Sequence, residues 1–148
     1  MKLEFSNVHF ERDVRTKWDV LLRIVGDFAL RVRGLVIYRE VEFCLVEFAV
    51  VLAGWLTIVT DLGPDFVYTS LESETEGLVR FTRLKPGTWR VSAAHQDQES
   101  MDLVTTAELK DAALAYIRDV RAHLLPKLDI LQYVEDAKVR RELQSRIE

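Results

Sequence analysis

The side chains able to do chemistry are few and scattered. His9, His95 and His123 are far apart, and none stands in an HExxH or HxH arrangement that would place two imidazoles on one metal. His95 opens the polar stretch HQDQESMD, in which Asp97, Glu99 and Asp102 could offer oxygens to a hard cation. The stretch lacks the glycine and the ligand spacing of a calcium loop. Cys44 is the only cysteine; it sits in an apolar run without an adjacent histidine, which reads as a buried structural thiol rather than a nucleophile. Neither a phosphate-binding glycine loop nor a GxSxG elbow occurs. Glu72, Glu74 and Glu76 alternate within ESETEG, as expected of a solvated acidic turn. The inventory leans away from an enzyme and implies no metal and no cofactor.

Two charged features remain. Glu47 is the single charge in FCLVEFAVVLAGWLTIVT (43–60), and no Lys or Arg lies three or four residues from it. Its expected place is the side of a helix facing away from a sheet, beside Gly54, met by water, by an arginine from a strand or by another protein. Arg31 and Arg33 alternate along a predicted strand, with Arg23 and Arg39 nearby, and would form a solvent-facing sheet surface or an anion or partner face.

The elements that would position these residues follow from periodicity. KLEFSNVHF alternates as a strand. KWDVLLRIVGDFALRVRGLVIYRE reads as two or three more, with Phe28, Leu30 and Val32 on one face. Gly26-Asp27 marks a bulge or bend, and Gly34 a tight turn. The apolar run predicts a helix from about Glu42 to Val59, with Leu45, Phe48, Leu52, Trp55, Leu56 and Val59 toward the sheet. DFVYTSL, LVRFTRL, TWRVSAAH and LVT then predict a meander with a Pro86-Gly87 turn. Thr105 and Glu108 have capping-box spacing ahead of an apolar stripe, Leu109, Ala113, Tyr116, Ile117, Val120 and Leu124, that Pro126 closes. The segment 127–148 reads as a helical tail packed on the domain or on a partner, including a second copy of the chain.

This order predicts one α+β domain over 1–126: six to seven mainly antiparallel strands, a central apolar helix and a C-terminal helical region. The run 43–60 is not a membrane span, because its uninterrupted apolar part, 48–56, is far shorter than the ~20 residues required. A chain with one cysteine and no apolar leader fits the reducing cytoplasm. The formal net charge is −4, and the excess lies in the middle third, since residues 41–82 carry seven acidic side chains and one basic. That pattern lacks the basic footprint of a nucleic-acid binder.

The segments IVGDFALRVRG (24–34), LVEFAVVLAGWL (45–56), FVYTS (66–70) and TWRVSAAHQ (88–96) together resemble a family of small, uncharacterised bacterial proteins similar to immunity proteins of polymorphic toxin systems. The resemblance covers most of 17–125 and brings no catalytic residues. It implies a non-enzymatic protein-binding module that occludes a toxin-like partner. Acidic loops would steer a basic partner, which makes Asp61, Asp65, Glu72, Glu74, Glu76, Asp97, Glu99 and Asp102 candidate contacts. Two alternatives stand beside it: a small-molecule-binding or enzymatic domain with a pocket between sheet and helices, and a structural homodimer built on the C-terminal helix.

Overall fold

A computed structural model of the chain describes residues 1–10 and 16–124 and the single positions 141 and 145. The tail predicted over 127–148 lies outside the described residues apart from those two positions. The order of elements is β1 (Lys2–Phe10), α1 (Lys17–Arg23), β2 (Ile24–Val32), β3 (Leu35–Cys44), α2 (Leu45–Leu56), β4 (Phe66–Tyr68), β5 (Val79–Lys85), β6 (Thr88–Ala93), β7 (Val104–Thr105) and α3 (Thr106–Leu124). The α+β class and the seven antiparallel strands are as predicted. The strands divide into two sheets, in the orders β1-β2-β3 and β4-β5-β6-β7, with α2 between them in the chain.

Two helix boundaries differ from the sequence reading. Residues 17–23, read as strand, form α1. Thr16 and Asp19 make a reciprocal capping box, in which the Asp19 amide donates to the Thr16 hydroxyl at 3.1 Å and the Thr16 amide to the Asp19 carboxylate at 3.0 Å. This local cap outweighs the β-propensity of Val20 and its neighbours. Helix α2 is shorter than predicted, since residues 42–44 still belong to β3, where Cys44 pairs with Val25.

The first sheet bends sharply. Beside Gly26-Asp27 both neighbouring strands carry an extra residue: β1 opposite Gly26, between Ser6 and His9, and β3 opposite Asp27, between the partners of Gly26 and Phe28. Asn7 (φ 52°) and Glu42 (φ 53°) take left-handed backbone within these bulges. Gly26 sits at the pivot, where a Cβ would stand 2.7 Å from the Ser6 carbonyl oxygen. The β2–β3 hairpin closes through Arg33 (φ 51°) and Gly34 (φ 82°), both central residues positive as in a type I′ turn.

The core lies where both sheets meet the helices. Phe28, Leu30 and Val32 are all buried, as their alternation predicted. Phe48 of α2 touches rings from each side: Phe28 and Phe43 of the first sheet at 5.3 and 5.2 Å, Tyr68 and Phe66 of the second at 4.9 and 6.0 Å, and Tyr116 of α3 at 5.2 Å. Trp55 and Trp89 extend this packing around Phe66 and Phe81. The predicted large face of α2 is buried, but Val46 and Ala53 on its other side are buried too. The helix is enclosed by two sheets and α3 rather than laid on one sheet.

Helix α3 begins as its sequence predicts. The Thr105 amide donates to the Glu108 carboxylate at 2.7 Å, and the Glu108 amide donates to the Thr105 hydroxyl at 3.1 Å. The whole stripe from Leu109 to Leu124 is buried. No helix among the described residues is long and apolar enough to cross a membrane.

Candidate functional site

Glu47 is buried and hydrogen-bonded inside the fold. Its residue is 6% exposed, and its partners are a tyrosine and a backbone amide rather than the expected water, arginine or other protein. The Tyr68 hydroxyl donates to Oε1 at 2.8 Å and the Leu71 amide to Oε2 at 3.3 Å. The carboxylate also lies in the first turn of α2, where the helix dipole favours negative charge. Burial and the neighbouring carboxylate push the Tyr68 hydroxyl far above its ordinary value, so it remains a donor at physiological pH. Glu47 thus ties β4 and the following loop to α2. Its partner is a neutral hydroxyl from another element, a donor that a search for nearby cations misses.

Cys44 is buried as expected, with its sulfur 3.8 Å from the Leu22 carbonyl oxygen and from the Ser70 hydroxyl. Tyr68, Ser70 and Cys44 form part of the wall of a recess of about 280 Å³ whose mouth carries Glu72, Thr75 and His95. The His95 Nε2 lies 3.2 Å from the Thr75 hydroxyl. Among the described residues no group of three His, Cys, Asp or Glu side chains is placed to hold a metal ion.

The eight acidic candidates are all exposed and do not form one patch. Asp61 and Asp65 lie at the Pro86-Gly87 end of the second sheet, where the Gly87 amide donates to the Asp61 carbonyl and the Arg83 amide to the Asp65 carboxylate. Glu72, Glu74 and Glu76 lie at the opposite end, beside the start of β5. The loop of Asp97, Glu99 and Asp102 reaches the first sheet: the Asp97 amide donates to the Ile37 carbonyl at 2.8 Å and the Gln98 side chain to the Val36 carbonyl at 2.7 Å. This loop bonds to β3 near its start, at Val36 and Ile37.

The two arginines of the predicted partner face separate. Arg33 sits at the hairpin tip, and its guanidinium donates to Glu108 and to the Leu103 carbonyl. It locks the hairpin to the start of α3 and leaves the sheet face. The positive φ at Arg33 breaks the alternation that placed it beside Arg31. The Thr105 amide first, and Arg33 second, hold the Glu108 carboxyl down at about 2.

Arg31 stays on the face. Strand register brings Lys2 beside Arg31, Glu4 beside Ala29 and Ala29 beside Arg39. Glu4 receives Lys2 at 2.7 Å and Arg31 at 2.7 Å, and these two cations, Lys2 foremost, hold its carboxyl below the usual carboxylate range. Arg39 is exposed and makes no ion pair among the described residues. The small side chain of Ala29 leaves the centre of the face low. The result is a broad concavity of about 1020 Å³ whose lining includes Lys2, Glu4, Asp27, Ala29, Arg31 and Arg39. Lys2, Glu4 and Asp27 escape a search by linear motif, because only the β1–β2–β3 register assembles them.

A family-level match is consistent with this geometry. A domain of unknown function, DUF7878, matches residues 1–125. The chain belongs to that family. The match covers β1 through α3 and stops before the tail. No curated protein and no solved structure matches the chain significantly.

Proposed function

We propose that this DUF7878 protein is a non-enzymatic binding module whose docking surface is the open face of β1–β2–β3. The observation that carries the reading is the charged concavity over Ala29. Its charges alternate in sign, and Glu4 already occupies two of the three cations. A mixed face of this kind suits a protein surface better than a single small anion, which would have to displace Glu4. Arg39, beside Ala29, makes no ion pair among the described residues and can take a carboxylate from the partner. The overall negative charge steers a partner of opposite sign at longer range. Together with the sequence resemblance, this supports an immunity-like role in which the module occludes a toxin-like partner in the cytoplasm.

Copurification from native cells tests the reading, with wild type beside Arg39→Glu and Ala29→Trp. A protein recovered with wild type and lost with both variants is expected. If nothing copurifies, or if both variants recover the same protein, the reading fails. Its immunity-like part has its own test: deleting the gene should sensitise cells to a toxin encoded next to it, and harmless neighbours would refute that role.

The recess beneath His95 favours a second reading, a small polar ligand held against Tyr68 and Ser70. Thermal-shift screening with and without a His95→Ala change separates the two, because His95 lines the recess and not the open face.

A further inference from the structure

The two edges of the first sheet are not alike. The outer edge of β3 carries the 97–98 loop at Val36 and Ile37. The outer edge of β1 has no partner strand among the described residues. Five consecutive residues of β1, 2–6, line the large concavity, so it follows the strand's free edge as well as its open face. On the opposite side of the same strand a second trough of about 300 Å³ separates β1 from α3. The troughs share Lys2, Leu3 and Asp119, so they flank the free edge on both sides at its start, while the larger one continues along it to Ser6.

We propose that this edge is a strand-addition site, taking an extended segment of a partner protein with basic side chains at alternate positions. The inference rests on the protein-binding reading above and adds how the partner is held. Free amides and carbonyls of an edge strand supply main-chain hydrogen bonds, and the flanking troughs receive alternate side chains. The register shift after Ser6 limits the paired stretch to residues 2–6.

The charge of the second trough sets the chemistry of the segment. Asp111, Ala115 and Asp119 follow each other at i, i+4 and i+8 on α3, so they form one stripe. The alanine leaves room and the two carboxylates bracket it. Neither has an ion-pair partner among the described residues, whereas Glu108 is held by Arg33. β1 runs alongside α3, since Leu3 shares the trough with Asp111 while Phe5 packs on Tyr116 and His123 further along the helix. Eight helical residues rise ~12 Å, and two strand residues four apart span ~13 Å. A lysine or arginine pair four residues apart in an added strand therefore matches Asp111 and Asp119.

The test uses the full chain and a short strand-forming peptide of threonine and valine with two lysines four apart. Controls are the peptide with glutamate at those positions and one N-methylated along a single edge. Binding of the lysine peptide should slow hydrogen exchange at alternate amides of residues 2–6. The glutamate and N-methylated peptides should bind at least about tenfold more weakly, and so should the lysine peptide to Asp111→Asn/Asp119→Asn. Failure to bind, binding without protection of β1, or equal binding of the N-methylated peptide overturns strand addition. The Arg39→Glu copurification experiment is independent of this edge, so losing the docking mode leaves the binding reading to stand or fall on its own result.

Discussion

At the scale of single residues, Glu47 shows how a lone charge in an apolar run is accommodated. Its neighbours in sequence offer no cation, and the solution comes from Tyr68, 21 positions away, with the Leu71 amide. Nothing in the linear pattern reveals that pairing, because the partner is neutral and belongs to another element. Truncating Glu47 to Ala strands a buried hydroxyl and should cost about 1–3 kcal/mol in urea unfolding, with Tyr68→Phe costing a similar amount. Glu47→Gln keeps an acceptor for Tyr68 and should cost less than Glu47→Ala. The double change Glu47→Ala/Tyr68→Phe should be less than additive, since each single change removes the same interaction. Gly26 makes a second residue-scale case. A methyl group there meets the Ser6 carbonyl oxygen, so Gly26→Ala should destabilise by about 1–3 kcal/mol in the same assay.

At the scale of elements, the parts that local chemistry dictates were legible in the sequence. The alternation of Phe28, Leu30 and Val32, the Pro86-Gly87 turn and the Thr105–Glu108 box each appear where their spacing puts them. Helix α1 carried an equally local signal in Thr16 and Asp19, which the apolar alternation around Val20 obscured. The bulges flank Gly26-Asp27, where the sequence places a bulge or bend. The left-handed Arg33 was hidden, because the hairpin turn there takes a positive φ at a non-glycine residue, and turn and bulges together decide which charges share a face. The α3 cap makes a pH prediction. The folded Glu108 carboxyl lies at about 2, below its ordinary value of 4.5, so its contribution is complete above that ordinary value. It is lost as pH falls from about 4.5 toward 2. Glu108→Gln should flatten that part of the stability–pH profile while leaving the chain folded at pH 7. An unchanged acid limb would show that the cap does not couple to folding.

At the scale of the whole molecule, Phe48 joins both sheets and α3 in one aromatic core. The two sheets should therefore unfold together, with circular dichroism and tryptophan fluorescence tracing the same urea transition. Phe48→Ala should lower stability by about 3–5 kcal/mol without separating the two signals. Two distinct transitions would mean that each sheet has its own core. This rigid body presents one mixed-charge face, assembled by register from three strands, and it scatters its acidic loops to different ends. The central claim is that a partner docks on that face. Hydrogen exchange on the full chain, alone and with the copurified protein bound, tests it most directly. The account predicts slowed exchange in residues 2–6 and 27–41, with the loops 72–76 and 97–102 little changed; slowed exchange confined to those acidic loops would contradict it.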